Sequence, residues 1–200
     1  MRPKLIIMVK EPVPGRVKTR LGRDLGMVPA AHWFRKQALS TIRRLDDPRW
    51  DLVLAVSPDH AGLTSRFWPQ HIARVPQGRG DLGARMMRLF RASLSPKTCI
   101  IGADIPDIQP RHIMASFAAL GSHSGVMGPS DDGGYWLVGL RHGGRAPVGL
   151  FDGVRWSTQF AREDTQSSAS TINWASIATL NDVDTVDDLK HHRAQTKRAF

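Results

Sequence analysis

Apolar runs alternate with stretches of helical period along this chain of 200 residues. The run KLIIMV (4–9) predicts a first strand and DLVLAVS (51–57) a second. HIARV (71–75) predicts a weaker third, and TCIIGAD (98–104) a strongly apolar, buried fourth. Between them lie three patterns of helical period. PAAHWFRKQALSTIRRL (29–45) sets Ala30, Phe34, Ala38, Ile42 and Leu45 near one face. DLGARMMRLFRASL (81–94) does the same with Leu82, Met86, Leu89 and Phe90. PRHIMASFAAL (110–120) opens on proline, which suits the first turn of a helix. GVMGPS and GYWLVGL flank the turn-like DDGG and predict a hairpin. SIATL (176–180) predicts a last short strand. TVDDLKHHRAQ (185–195) predicts a final helix capped by Thr185, with Asp187 and Asp188 in its first turn and a basic tail that ends as a fraying helix.

Strands alternating with helices predict an α/β layered domain with a mainly parallel sheet, and the hairpin adds one antiparallel excursion. Neither an internal repeat nor a linker interrupts the pattern, so residues 1–200 read as a single domain. A hydrophobic fraction of 41% is enough for a packed core. No apolar run approaches the roughly 20 residues that span a bilayer. The N-terminus lacks a signal-peptide pattern, so the expectation is a cytoplasmic protein with no membrane partner. The single cysteine, Cys99, lies within a predicted strand and reads as core packing.

Charge changes the picture. The formal net charge is +10, with cations crowding the N-terminal part and Asp182, Asp184, Asp187 and Asp188 near the other end. Such a balance favours anionic partners. The sequence shows no recognition helix, stacking motif or zinc finger, so nucleic acid is not the expected partner.

Ligands of open α/β sheets collect beyond the carboxyl ends of the strands. Three predicted loops there are rich in glycine, proline and charge: KEPVPGRVKTRLG (10–22), PQGRGDLG (76–83) and ADIPDIQ (103–109). In the first, Lys18 and Arg20 supply donors and Gly15 allows close backbone approach, as a phosphate cradle requires. Arg16 reads as ordinary surface charge. GRGDLG matches a dinucleotide fingerprint by letter, but it follows a weak, late strand instead of the first one. Asp104 ends the strongest strand and suits Mg²⁺ or Mn²⁺ held jointly with a diphosphate, whereas Asp107 reads as a helix cap. Two acids and two glycines beside aromatics exceed what a plain turn needs, so Asp131 or Asp132 is a candidate general base. Asp182 and Asp184 are either further metal ligands or an acidic cap.

Taken in order, KEPVPGRVKTRLG, GDLGARM, GADIPDI, GPSDDGGYWLVGL, LFDGVRWST and NDVDTVDDL resemble a bacterial family of nucleotide-diphospho-sugar transferases, the arsenosugar-biosynthesis-type glycosyltransferases, long known as a domain of unknown function. The resemblance implies a GT-A fold, a Rossmann-like three-layer sandwich with a mainly parallel mixed sheet. It implies a metal-dependent glycosyltransferase with a nucleotide-sugar donor and a small-molecule acceptor. The alternative on the same scaffold is a nucleotidyltransferase that joins a nucleoside triphosphate to an acceptor phosphate and releases pyrophosphate. By the same resemblance Lys10, Gly15, Lys18, Thr19 and Arg20 would hold the phosphates, and Gln77, Gly80 and Gly83 would face the base and ribose. Asp104, Asp182 and Asp184 would bind Mg²⁺ or Mn²⁺. Asp131 or Asp132 would act as base, with Gly133, Gly134, Trp156, Ser157 and Thr158 shaping the acceptor or sugar pocket.

Overall fold

The computed structural model describes the backbone of residues 1–198 and the side chains of residues 1–194. Seven strands form one sheet: β1 (Lys4–Lys10), β2 (Asp51–Ser57), β3 (Ala73–Pro76), β4 (Lys97–Gly102), β5 (Gly125–Pro129), β6 (Tyr135–Arg141) and β7 (Trp174–Ser176). The helices are α1 (Thr19–Leu25), α2 (Met27–Leu45), α3 (Asp59–Thr64), α4 (Leu82–Arg91), α5 (Pro110–Ala119), α6 (Ala161–Ser167) and α7 (Val186–Arg198). Strand order is β3-β2-β1-β4-β6-β5-β7. β1 pairs in parallel with both β2 and β4, while β6 runs antiparallel to β4 and β5.

The pleat of β1 shows why three layers form. Leu5, Ile7 and Val9 point to one face and pack with Phe34, Ala38 and Ile42 of α2 and Ile113 and Phe117 of α5. Ile6 and Met8 point to the other and pack with Met86, Leu89 and Phe90 of α4, Leu150 and Phe151. Both faces of the sheet are therefore covered, as a parallel sheet requires. Each fully buried large apolar side chain, such as Phe90 or Leu54, contributes about 1.5–3 kcal/mol. A smaller cluster of Leu21, Ala30, Val183 and Leu189 fastens α1 and α7 to α2. The fold is the single-domain, mixed and mainly parallel α/β sandwich that the sequence predicts.

Three features differ from expectation. The last strand is Trp174–Ser176; beyond it the chain keeps only spaced bonds from Ile177 N–H to Met127 and from Leu180 N–H to Pro129, so SIATL is mostly a tethered loop. Asp107 does not cap α5. Gln109 occupies the cap position and its backbone N–H donates to Nδ1 of His112, while the exposed Asp107 faces His192 at 3.6 Å. Helix α1 lies where the sequence predicts a continuous loop. Thr185 does cap α7: its Oγ1 accepts from the Asp188 N–H, and the Asp188 carboxylate accepts from the N–H groups of Asp184 and Thr185. The helix runs through the predicted basic tail to Arg198, and the last two residues lie outside the described ones.

Candidate active site

The carboxyl ends of β1 and β4 reach one rim of the sheet. Because β6 is reversed, its first residue, Tyr135, stands opposite Pro129 on that same rim, together with the turn 130–134. β7 runs parallel to β5, so the chain leaving it also heads there. Three loops and the segment before α7 thus converge on a cleft of about 690 Å³.

Lys18 stands at its centre. The residue takes a left-handed backbone conformation (φ 45°, ψ 47°) just before α1 and buries all but 5% of its side chain. Its Nζ lies 2.7 Å from Asp104 Oδ2, 2.5 Å from Asp184 Oδ1 and 3.4 Å from Asp182 Oδ2. Burial opposes the charge on Lys18, but the carboxylates of Asp104, Asp184 and Asp182 outweigh it and raise the ammonium pKa above its usual range. Arg20, largely exposed, approaches Asp184 at 3.4 Å.

The three carboxylates offer oxygens within 4.8 Å of one another. Asp104 follows β4, and Asp182 and Asp184 precede α7. A bond from the Val183 N–H to the Asp104 carbonyl fixes the two segments together. An all-oxygen set of this kind is what a hard cation such as Mg²⁺ or Mn²⁺ takes, so the residues present fit a divalent metal. The cluster is rich in negative charge. Burial, partly offset by Lys18, and repulsion from Asp104 and Asp184 push Asp182 up to about 6. Asp184 moves the other way: although burial acts upward, contact with Lys18 holds it below the usual carboxylate range.

Of the residues expected to hold phosphate, Lys10, Lys18, Thr19 and Arg20 line the cleft. Gly15 does not; it sits in an exposed left-handed turn (φ 75°), with nothing within 4 Å of where a Cβ would lie, and it shapes the loop from outside. Gln77 is buried and lines the cleft, but its amide donates to the carbonyls of Val9 and Ala55, clamping the ends of β1 and β2. Gly80 lines the cleft, whereas Gly83 lies beneath it, where a Cβ would meet Phe151 Cβ at 2.7 Å. On the opposite wall Asp132, Gly134, Trp156, Ser157 and Thr158 line the cleft. Asp131 and Gly133 are turned away. Asp131 pairs with Asn181, and Gly133 (φ 82°) packs against the Gln159 carbonyl. Among the described residues the buried Trp156 indole N–H has no acceptor.

Sequence reasoning missed two cations. Arg16, read as surface charge, lines the cleft because the turn at 13–16 swings it back over the rim. Arg85, on the first turns of α4, donates from Nε to the Gly80 carbonyl at 3.0 Å and lines the same wall as Gln77. Its position directly after the glycine-rich loop was the available signal.

Comparison with known proteins bears on the family and the fold. A provisionally assigned nucleotide-diphospho-sugar transferase from Desulfovibrio desulfuricans G20 is 31% identical, with a TM-score of 0.83 over 94% of this chain and 85% of that one. The fold also matches a nucleotidyl transferase from Methanothermobacter thermautotroptrophicus at 11% identity, with a TM-score of 0.66 over 100% and 99% of the two chains. A 4-diphosphocytidyl-2C-methyl-D-erythritol synthase from Anaerococcus prevotii matches at 11% identity, with a TM-score of 0.62 over 98% of each. No curated protein sequence matches. Among the described residues no helix is long and apolar enough to cross a membrane. Residues 41–158 match the family model described as "Uncharacterized protein conserved in bacteria (DUF2064)", and with the close likeness to the Desulfovibrio structure this places the chain in that family.

Proposed function

We propose that the protein is a metal-dependent transferase that binds a nucleotide in this cleft and transfers a nucleotidyl group. One observation carries the reading: five cations, Lys10, Arg16, Lys18, Arg20 and Arg85, share a single cleft with the carboxylates of Asp104, Asp182 and Asp184. Cations and carboxylates together suit a polyphosphate and its metal, the former taking phosphate oxygens and the latter the metal. A triphosphate that expels pyrophosphate presents more charge than a diphosphate sugar, and so many cations favour it.

In this reading Lys10, Lys18 and Arg20, with Arg16 and Arg85, bind and orient the phosphates. Gln77 and Gly80 form the wall beside the base and ribose. A divalent cation held by Asp104, Asp182 and Asp184 would neutralise charge on the departing group. The wall of Asp132, Gly134, Trp156, Ser157 and Thr158 positions the acceptor. An acceptor phosphate oxygen bonds to the α-phosphorus, the bond from that phosphorus to its bridging oxygen breaks, and pyrophosphate leaves.

A second reading is favoured by the name of the 31%-identical Desulfovibrio relative. In it the donor is a nucleotide-diphospho-sugar, Asp132 takes the proton of an acceptor hydroxyl, and a nucleoside diphosphate departs.

The test is a thermal-shift panel of nucleoside triphosphates and nucleotide sugars with and without Mn²⁺, followed by product analysis. A ligand of the native state raises the melting temperature by mass action. Pyrophosphate release supports nucleotidyl transfer, and nucleoside diphosphate release supports the second reading. Asp104→Asn should remove the metal-dependent part of the shift. If no nucleotide gives a metal-dependent shift, both readings fail.

A further inference from the structure

We infer that Lys18 is an internal counter-ion for the three carboxylates that is handed over to a phosphate when nucleotide binds, so that metal and nucleotide bind as a coupled pair. The inference rests on the nucleotide reading above and adds to it how the two ligands depend on each other.

The neighbours of Lys18, Val17 and Leu21, are buried, and its own side chain is 5% exposed, so the ammonium is built into the site. It touches all three carboxylates, whose oxygens are close enough to share one metal ion. Ammonium and divalent cation would repel if both stayed at that point. Lys18 also lines the cleft, and the carboxylates are 29–37% exposed, so the site opens toward the place proposed for phosphate.

The energetics then close in a cycle. Metal alone would strand Lys18, since a buried charge without a partner is costly. Phosphate alone would draw Lys18 off and leave three carboxylates facing one another, with, among the described residues, only the exposed Arg20 beside Asp184. Both together leave no charge without a partner: the metal takes the carboxylates, with Arg20 beside Asp184 against the charge it leaves over, and Lys18 takes a phosphate oxygen. Each ligand therefore raises the affinity for the other by the same factor.

The experiment measures Mn²⁺ binding by calorimetry, on a free-metal basis, alone and with inorganic pyrophosphate. Wild-type protein should bind Mn²⁺ at least about tenfold more tightly with pyrophosphate than without, a typical size for such coupling. Lys18→Met should bind Mn²⁺ alone at least about tenfold more tightly than wild type, and pyrophosphate should raise that affinity by a smaller factor than it does in wild type. Equal wild-type affinities with and without pyrophosphate overturn the proposal. So does a folded Lys18→Met variant whose affinity for Mn²⁺ alone is unchanged. The wild-type comparison stands by itself if the variant does not fold. Intact coupling to pyrophosphate, with no nucleoside triphosphate or nucleotide sugar binding at all, would leave the exchange standing and sink the nucleotide reading.

Discussion

Asn181 and Asp131 hold each other twice: the Asp131 backbone N–H donates to Asn181 Oδ1 at 2.9 Å, and Asn181 Nδ2 donates to Asp131 Oδ2 at 2.6 Å. The pair ties the β5–β6 turn to the segment that carries Asp182. Asn181→Ala should weaken Mn²⁺ binding several-fold by loosening that segment, at a stability cost of about 1 kcal/mol. Calorimetric Mn²⁺ titration and urea denaturation measure the two effects. An unchanged Mn²⁺ affinity would mean that Asp182 is placed without help from the pair.

Two glycines with similar backbone should respond differently to alanine. Gly15 (φ 75°) has open space around it, so Gly15→Ala should cost only about 1 kcal/mol, the strain of the left-handed conformation. At Gly133 (φ 82°) a Cβ would lie 2.0 Å from the Gln159 carbonyl oxygen. Gly133→Ala should cost about 3 kcal/mol, because the loop at 156–159 must move. Denaturation midpoints of the two variants give the comparison; equal losses would contradict it.

His112 makes stability depend on pH. Its Nδ1 accepts from the Gln109 N–H, and burial, with Arg111 adding and Asp107 opposing, holds its pKa below the usual 6.5. As pH falls below 6.5, the unfolded chain takes up a proton that the folded histidine resists, so this group's contribution is present at neutral pH and lost on acidification. Asp182, raised to about 6, acts in the opposite direction. The His112→Asn variant should therefore show a smaller loss of stability between about pH 7 and 5 than wild type, or even a gain. Urea denaturation at several pH values reads the difference, and parallel curves would refute the assignment.

Arg85 offers a test of the wall that carries Gln77. Its Nη1 lies 3.5 Å from Gln77 Oε1, and it lines the cleft from α4. Arg85→Ala should weaken pyrophosphate binding about tenfold, the worth of one charged hydrogen bond, with the melting temperature of the free protein little changed. Unaltered binding would remove Arg85 from the proposed phosphate contacts.

Much of the fold was legible in the sequence, since β1, β2, β4 and β6 and helices α2, α4 and α5 each follow a hydrophobic period. The short helices α1, α3 and α6 were not, because six or seven residues hold too few apolar positions to establish one. Gly22 and the charges around it make α1 read as loop until Leu21 is seen packed against Val183 and Leu189. For the site, Asp104 could be placed at the rim from its strand. Spacing left Asp182 and Asp184 undecided between cap and metal ligand, because their approach to Asp104 depends on the tertiary bond between Val183 and Asp104. That Lys18 would sit among carboxylates and not face outward was illegible, since the partners are distant in sequence.

The reversed direction of β6 leaves a seam in the molecule. On one side of β4 the rim is furnished by β1, β2 and β3 through crossovers, each long enough to need a covering helix. On the other it is furnished by a hairpin turn and by the strand end beside it. A hairpin turn can change length or residue type without shifting a crossover. The wall around residues 130–134 can therefore be retuned while the basic loop and Asp104 stay in register, so long as the Asp131–Asn181 pair and Gly133 are kept, and the hairpin with Asn181 is the natural unit of exchange.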